Sequence, residues 1–148
     1  MQQISLAYPA NIEVQHDDGT YYFVNFRDVK NCFTQGDTWE EAYINAQDVL
    51  GFMLQDYVAD KVELPKPSTA LKNEILIEPL PEIAAPLLLY LARTSMHISQ
   101  VQAAKKLGVT KQRYANIEHG KNLTMKTLSK AAKAIGFKTT LSLVATSS

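Results

Sequence analysis

Between positions 111 and 116 the chain reads Lys111-Gln112-Arg113-Tyr114-Ala115-Asn116, two cations and two amide side chains within six residues. Their shared chemistry is hydrogen bonding to base edges: Gln and Asn pair bidentately with adenine, and Lys or Arg pairs with the acceptor edge of guanine. Such groups read a sequence only when a helix presents them to the major groove. The neighbouring residues supply that helix and a second one before it. Ser99 and Gln102 form an S-x-x-Q capping box, and Gly108 stands where a left-handed residue would close the helix. Thr110 then caps a helix that begins at Lys111. Ala103, Ala104, Leu107, Val109, Tyr114 and Ile117 fall on the inward faces, with alanines where two helix backbones must cross closely. Lys111, Gln112, Arg113 and Asn116 are left facing out.

An ordinary helical hairpin with a polar face would share these features, but the continuation argues for more. Gly120-Lys121-Asn122 reads as a loop, and Leu123, Leu128, Ala131, Ala132 and Ile135 recur at helical spacing up to Gly136. The run from about Leu87 to Gly136 resembles the lambda-repressor/Cro class of five-helix DNA-binding domains. That resemblance implies phosphate contacts from Ser99 and Gln100 and base-facing roles for Lys111, Gln112 and Asn116. Glu118, Gly120 and Lys121 match the class's E-x-G-K ending, while Tyr114 is larger than the usual Val or Ile. The candidate DNA-binding set is Ser99, Gln100, Thr110, Lys111, Gln112, Arg113, Asn116, Lys121 and Asn122. Within it, Arg113, Gln100 and Lys121 are expected mainly to position the backbone.

The 148-residue chain has zero net charge, which at first argues against nucleic acid. The charges separate, however: residues 1–78 hold 13 acids and 5 bases (−8), and residues 79–148 hold 2 acids and 10 bases (+8). One half is suited to phosphate, the other to a basic partner. Cys32 is the single cysteine, so no intrachain disulfide is possible. His16, His97 and His119 are scattered without ligand spacing, and neither a metal nor a cofactor is expected. No secretory signal pattern and no membrane-length apolar run is present, so a soluble cytoplasmic protein is expected.

The acidic half reads as β-β-β-α-β. Ile4 to Val14 and Tyr21 to Phe26 flank an Asp17-Asp18-Gly19 turn, and a short strand is expected around Lys30 to Gln35. Thr38 and Glu41 form a T-x-x-E capping box for a helix reaching about Asp60. Ala42, Ala46, Val49, Leu50, Met53, Leu54 and Tyr57 recur at helical spacing and should lay it across the sheet. Glu40, Glu41, Asp48 and Asp56 fall on its outer face, which is either solvated or a docking surface for a positively charged protein. Leu64-Pro65-Lys66-Pro67-Ser68 is a stiff break, and Glu74 to Glu78 alternates as a returning strand. Pro81 can open the next helix, with Pro86 disturbing its early turns. The boundary falls at Glu78 to Pro81, giving domains 1–78 and 79–148.

This half is similar to the HicB-type antitoxins, whose unit is described as a partly degraded ribonuclease-H-like domain. The matching residues are Tyr8-Pro9, Asp18-Gly19-x-Tyr21, Cys32-x-Thr34-Gln35-Gly36-Asp37-Thr38, Glu40-Glu41-Ala42, Asn45-Ala46 and Leu64-Pro65-x-Pro67-Ser68, in that order. Asp28-Val29-Lys30-Asn31 stands where many members have D-x-P-G. The resemblance implies an antitoxin that neutralises a small, basic, RNA-cleaving HicA-type toxin through its N-terminal half and represses its own operon through the C-terminal half. The charge of the outer face makes Glu40, Glu41, Asp48 and Asp56 the candidate toxin-binding residues. Two alternatives come from other classes. A repressor with a ligand-sensing N-terminal half is one. A metal-dependent nuclease is the other, and it would need several carboxylates to converge on magnesium, with Glu13, Asp17, Asp18, Asp28, Glu40 and Asp48 as the candidates.

After Gly136 the tail alternates Phe137, Thr139, Leu141 and Leu143 against Lys138, Thr140 and Ser142, the pattern of a C-terminal strand. The helical domain has no strand to pair with it, so these four residues are expected to join two copies as a homodimer, and as a tetramer if the N-terminal halves also associate. The expected fold class is α+β, a β-β-β-α-β unit followed by an all-α helix-turn-helix domain with that strand.

Overall fold

In a computed structural model, which describes residues 3–146, Tyr8–Gln15 (β1) and Tyr21–Phe26 (β2) form an antiparallel hairpin with Ala10 opposite Phe26 and Val14 opposite Tyr22. Asp18 and Gly19 take the positive φ values of the turn, 53° and 108°. Phe33–Gly36 (β3) pairs with β2, and Glu74–Ile77 (β4) returns to the other side of β1. The sheet order is β3-β2-β1-β4, antiparallel throughout.

Trp39–Ala59 (α1) covers one face of this sheet. Its buried line Ala42, Ala46, Leu50 and Leu54 packs with Tyr8, Ala10, Val24, Phe26 and Ile77 in the core. Burying each leucine contributes about 1.5–3 kcal/mol. The alanines and Gly36 let helix and sheet approach closely: a Cβ on Gly36 would collide with the Ala42 backbone N and stand 2.8 Å from its Cα. At the helix start, Thr38 accepts from the Glu41 N–H at 3.1 Å, while the Glu41 carboxylate accepts from Asp37 N rather than Thr38 N. The expected capping box is therefore displaced by one residue.

The proline-rich segment is strapped to the sheet. Tyr8 donates its hydroxyl to Pro65 O at 2.6 Å, and Asp28 accepts from the Ser68 N–H and hydroxyl at 2.6 and 3.0 Å. Arg27 donates to Thr69 O at 3.0 Å and to both Glu74 carboxylate oxygens.

The remaining elements are α2 (Pro81–Ser95), α3 (Gln100–Leu107), α4 (Lys111–Glu118) and α5 (Met125–Ala134). Pro81 opens α2 as expected, and Pro86 is accommodated inside it, where it removes a single backbone donor. The chain divides into two compact units between Leu87 and Leu88, inside α2. The first turns of α2 pack on α1, with Ile83 Cγ2 3.0 Å from where a Gly51 Cβ would stand. The second unit buries Leu89, Ala92, Ala103, Ala104, Tyr114, Ile117, Ala131, Ala132 and Ile135.

One expectation fails in the single chain. Phe137 to Val144 forms no strand among the described residues. Phe137 is half-buried and its N–H donates to Ala132 O at 2.9 Å, but Thr139, Leu141 and Leu143 are exposed, Leu143 at 96%. Alternation supplies the pattern of a strand but not its ladder partner, and this helical unit offers none.

Candidate functional site

The two helices at the centre of the second unit are fixed by local chemistry. At α3 both halves of the capping box form, Ser99 Oγ accepting from Gln102 N at 3.1 Å and Gln102 Oε1 from Ser99 N at 2.8 Å. Gly108 ends the helix at φ 80°, and Thr110 Oγ1 accepts from Arg113 N at 3.1 Å to start α4. These bonds set the turn between the helices before any packing is counted.

Six of the nine expected DNA-facing residues line one open groove: Thr110, Gln112, Arg113, Asn116, Lys121 and Asn122. Ile117 and Thr127 complete it. Thr127 was not anticipated, although T-x-x-T at Thr124–Thr127 signals its place: Thr124 caps α5 by accepting from Thr127 N, and Thr127 thereby enters the groove. Lys111 and Ser99 are exposed outside the groove lining.

Inside the groove Gln112 Nε2 donates to Asn116 Oδ1 at 3.1 Å. The bond restrains Gln112 while leaving its Oε1 and second N–H free for the bidentate pattern that adenine requires. Asn116 is half-buried and supports the more exposed Gln112 from one turn away.

Beneath α4 lies a buried ion pair that sequence reasoning missed. Arg93 of α2 donates from Nε and Nη2 to the two carboxylate oxygens of Glu118, both at 2.8 Å, and from Nη1 to Ile98 O at 2.8 Å. The side chains are only 11% and 5% exposed. Hydrogen bonding to Glu118 raises the Arg93 pKa, and the Tyr90 ring lies 5.6 Å from its guanidinium carbon. Gln100 joins this pair, its Nε2 donating to Glu118 Oε1 at 3.3 Å. The amide expected at a phosphate is thus turned inward, tying the start of α3 to the end of α4. A signal was available: Glu118 is the sole acid after Glu82. Tyr114 fills the core beside this pair, and burial, then the Glu118 charge, pushes its hydroxyl pKa up.

In the first unit, Glu40, Glu41, Asp48 and Asp56 are all exposed on α1. Glu41 is partly engaged by its cap bond to Asp37. Among the described residues, no three His, Cys, Asp or Glu side chains, the candidates Glu13, Asp17, Asp18, Asp28, Glu40 and Asp48 included, are grouped to hold a metal ion. Asp28 instead holds Ser68. Burial pushes the Cys32 thiol up to about 12, so it is neutral at physiological pH. No helix of the described residues is long and apolar enough to cross a membrane.

Comparison with known proteins agrees with both halves. Residues 7–85 match the family of HicB-like antitoxins of bacterial toxin-antitoxin systems, and residues 89–141 match a helix-turn-helix family. A protein named Antitoxin HicB 1 from Photorhabdus laumondii is 33% identical over 140 residues, covering 94% of this chain and 88% of that protein. Antitoxin HicB of Escherichia coli K12 is 31% identical over 142 residues, 94% of this chain and all of that protein. With a sheet-and-helix unit matched over its length and a capped helix pair carrying a polar groove behind it, the chain belongs to the HicB-like antitoxin family and carries a C-terminal helix-turn-helix domain.

Proposed function

We propose that the chain neutralises a HicA-type toxin through its acidic N-terminal half, residues 1–78, and represses its own operon in the cytoplasm through residues 79–148. The observation that carries the second role is the groove of α4, where Gln112, Arg113, Asn116, Lys121 and Asn122 converge beside a domain of charge +8. The first role rests on family membership and on the opposite charge of the other half. In this reading the N-terminal unit is a ribonuclease-H-like fold without a catalytic carboxylate set. Gln112 reads a base, Asn116 orients it, Lys111 reads beside them, and Ser99, Arg113 and Lys121 position the backbone.

Useful specificity needs two such domains about one helical turn apart. Leu141 and Leu143, exposed in the single chain, would become covered if Phe137 to Val144 pairs as a strand with a second copy. Deleting the residues after Gly136 should then give monomers that lose operator affinity and still inhibit the toxin. The deciding experiment is Gln112→Ala in the full chain. It should cost about 1–3 kcal/mol at the operator, little on random DNA, and nothing in growth rescue from the toxin. Loss of rescue together with operator binding would overturn the division of labour.

A further inference from the structure

The side of α1 turned away from the sheet carries a regular line. Glu40, Ile44, Asp48, Phe52 and Asp56 follow one another at intervals of four residues, acid and apolar in alternation, and all five are exposed. Ile44 and Phe52 are 54% and 63% exposed. The line runs alongside the buried series Ala42, Ala46, Leu50 and Leu54, displaced by two residues, or about 200° around the helix. No Lys, Arg or His occurs anywhere in the 21 residues of α1. Among the described residues, none of the three acids in the line makes an ion pair. A solvated helix face ordinarily interleaves both signs of charge and does not display a phenylalanine and an isoleucine one turn from each other's carboxylate neighbours.

A row at i, i+4, i+8 is the ridge that fits between ridges of another helix. Its apolar members are about 12 Å apart along the axis, and so are its successive acids. Like charges exclude DNA, an anionic membrane and the same face of a second copy. What remains complementary is a basic protein surface. Resting on the antitoxin reading, we propose that this ridge of α1 is where the toxin docks, and that the toxin offers it an apolar groove edged by Lys or Arg at matching intervals. Ile44 and Phe52 hold the complex together and so govern dissociation, while Glu40, Asp48 and Asp56 steer association.

The test uses the full chain and a purified HicA-type toxin, with binding followed kinetically at several salt concentrations. Ile44→Ala with Phe52→Ala should weaken binding about 100-fold through faster dissociation, leaving the salt dependence intact. Asp48→Lys should slow association about 10-fold and flatten the salt dependence. Operator binding and melting temperature should be unchanged in both, since these side chains lie outside the core. Wild-type binding with both variants equally tight would overturn the ridge and leave the antitoxin reading standing. Absence of wild-type binding would remove that reading and the ridge together. A change in the mass of the chain alone on Ile44→Ala/Phe52→Ala would assign the ridge to a second copy and overturn the proposal.

Discussion

The two units hold their working helices by different means. The first lays a 21-residue helix on a four-stranded sheet and fixes it mainly by apolar contact through Ala42, Ala46, Leu50 and Leu54, with exposed side-chain bonds from Asn45 to Gln35 O at 2.9 Å and from Gln47 to Glu78 O at 3.1 Å along its flanks. The second must aim an eight-residue helix, too short to be stable by itself. There the fold adds side-chain caps at Ser99, Thr110 and Thr124 and the buried Arg93–Glu118 pair. A large apolar footing leaves exposed directional bonds a secondary part, whereas a small core needs buried ones to select one orientation. The opposite charges of the halves follow the same division, since each outer surface is free to match its own partner.

The largest test of this contrast is Glu118→Ala. It leaves the Arg93 guanidinium buried without its partner, a change that costs about 3–5 kcal/mol. Thermal melts should show the second unit unfolding early, with operator and random DNA binding both lost and toxin binding retained. A melt unchanged from wild type would mean the pair does not hold α4. Its counterpart in the first unit is Gly36→Ala. Here the added methyl meets helix backbone that no rotamer change can relieve, so a loss of about 1–3 kcal/mol or more is expected. Toxin binding should fail while the operator complex persists, the reverse of Glu118→Ala. If both variants impaired both activities, the units would not be independent in stability.

What was legible in the sequence divides along the same line. Caps, turns and the i, i+4 spacing of α1 are local, and they place the helix starts at Thr38, Ser99 and Thr110. The groove followed, because residues 110 to 122 are close in the chain before they are close in space. What escaped was long-range. Arg93 and Glu118 are 25 residues apart, and nothing in their spacing reveals that they meet. Gln100 turns inward for the same reason, drawn by a carboxylate 18 residues away. The tail failed differently: its alternation is that of a strand, but a strand needs a ladder partner, and the helical unit that precedes it supplies none.

Within the groove a finer test concerns Asn116. If it serves Gln112 through the 3.1 Å amide bond, Asn116→Ala and Gln112→Ala should not add. A double-mutant cycle on operator affinity should return a coupling of about 0.5–1.5 kcal/mol. Strict additivity would make Asn116 an independent reader.

The smallest expected effect is acid-induced and confined to the first unit. Hydrogen bonds from Arg27, then the bond from the Leu71 N–H, hold the Glu74 carboxyl below the usual carboxylate range. A group whose folded pKa is lowered contributes stability that is fully present above its ordinary value and disappears as pH falls through the folded one. Acidification past the ordinary carboxylate range should therefore release Glu74 from Arg27 and free the Leu71 amide, loosening the strap that also holds Thr69. Because the Arg27 side chain is 35% exposed, screening keeps the energetic effect small, and added salt should reduce it further. Amide hydrogen exchange followed from neutral pH downward, corrected for the intrinsic pH dependence, should show Leu71 losing protection before the β1–β2 ladder does. Glu74→Gln should abolish that pH step and leave Leu71 exchanging quickly throughout. Protection of Leu71 that persists until the whole sheet opens would show that the strap is held by Tyr8 and Asp28 without help from Glu74.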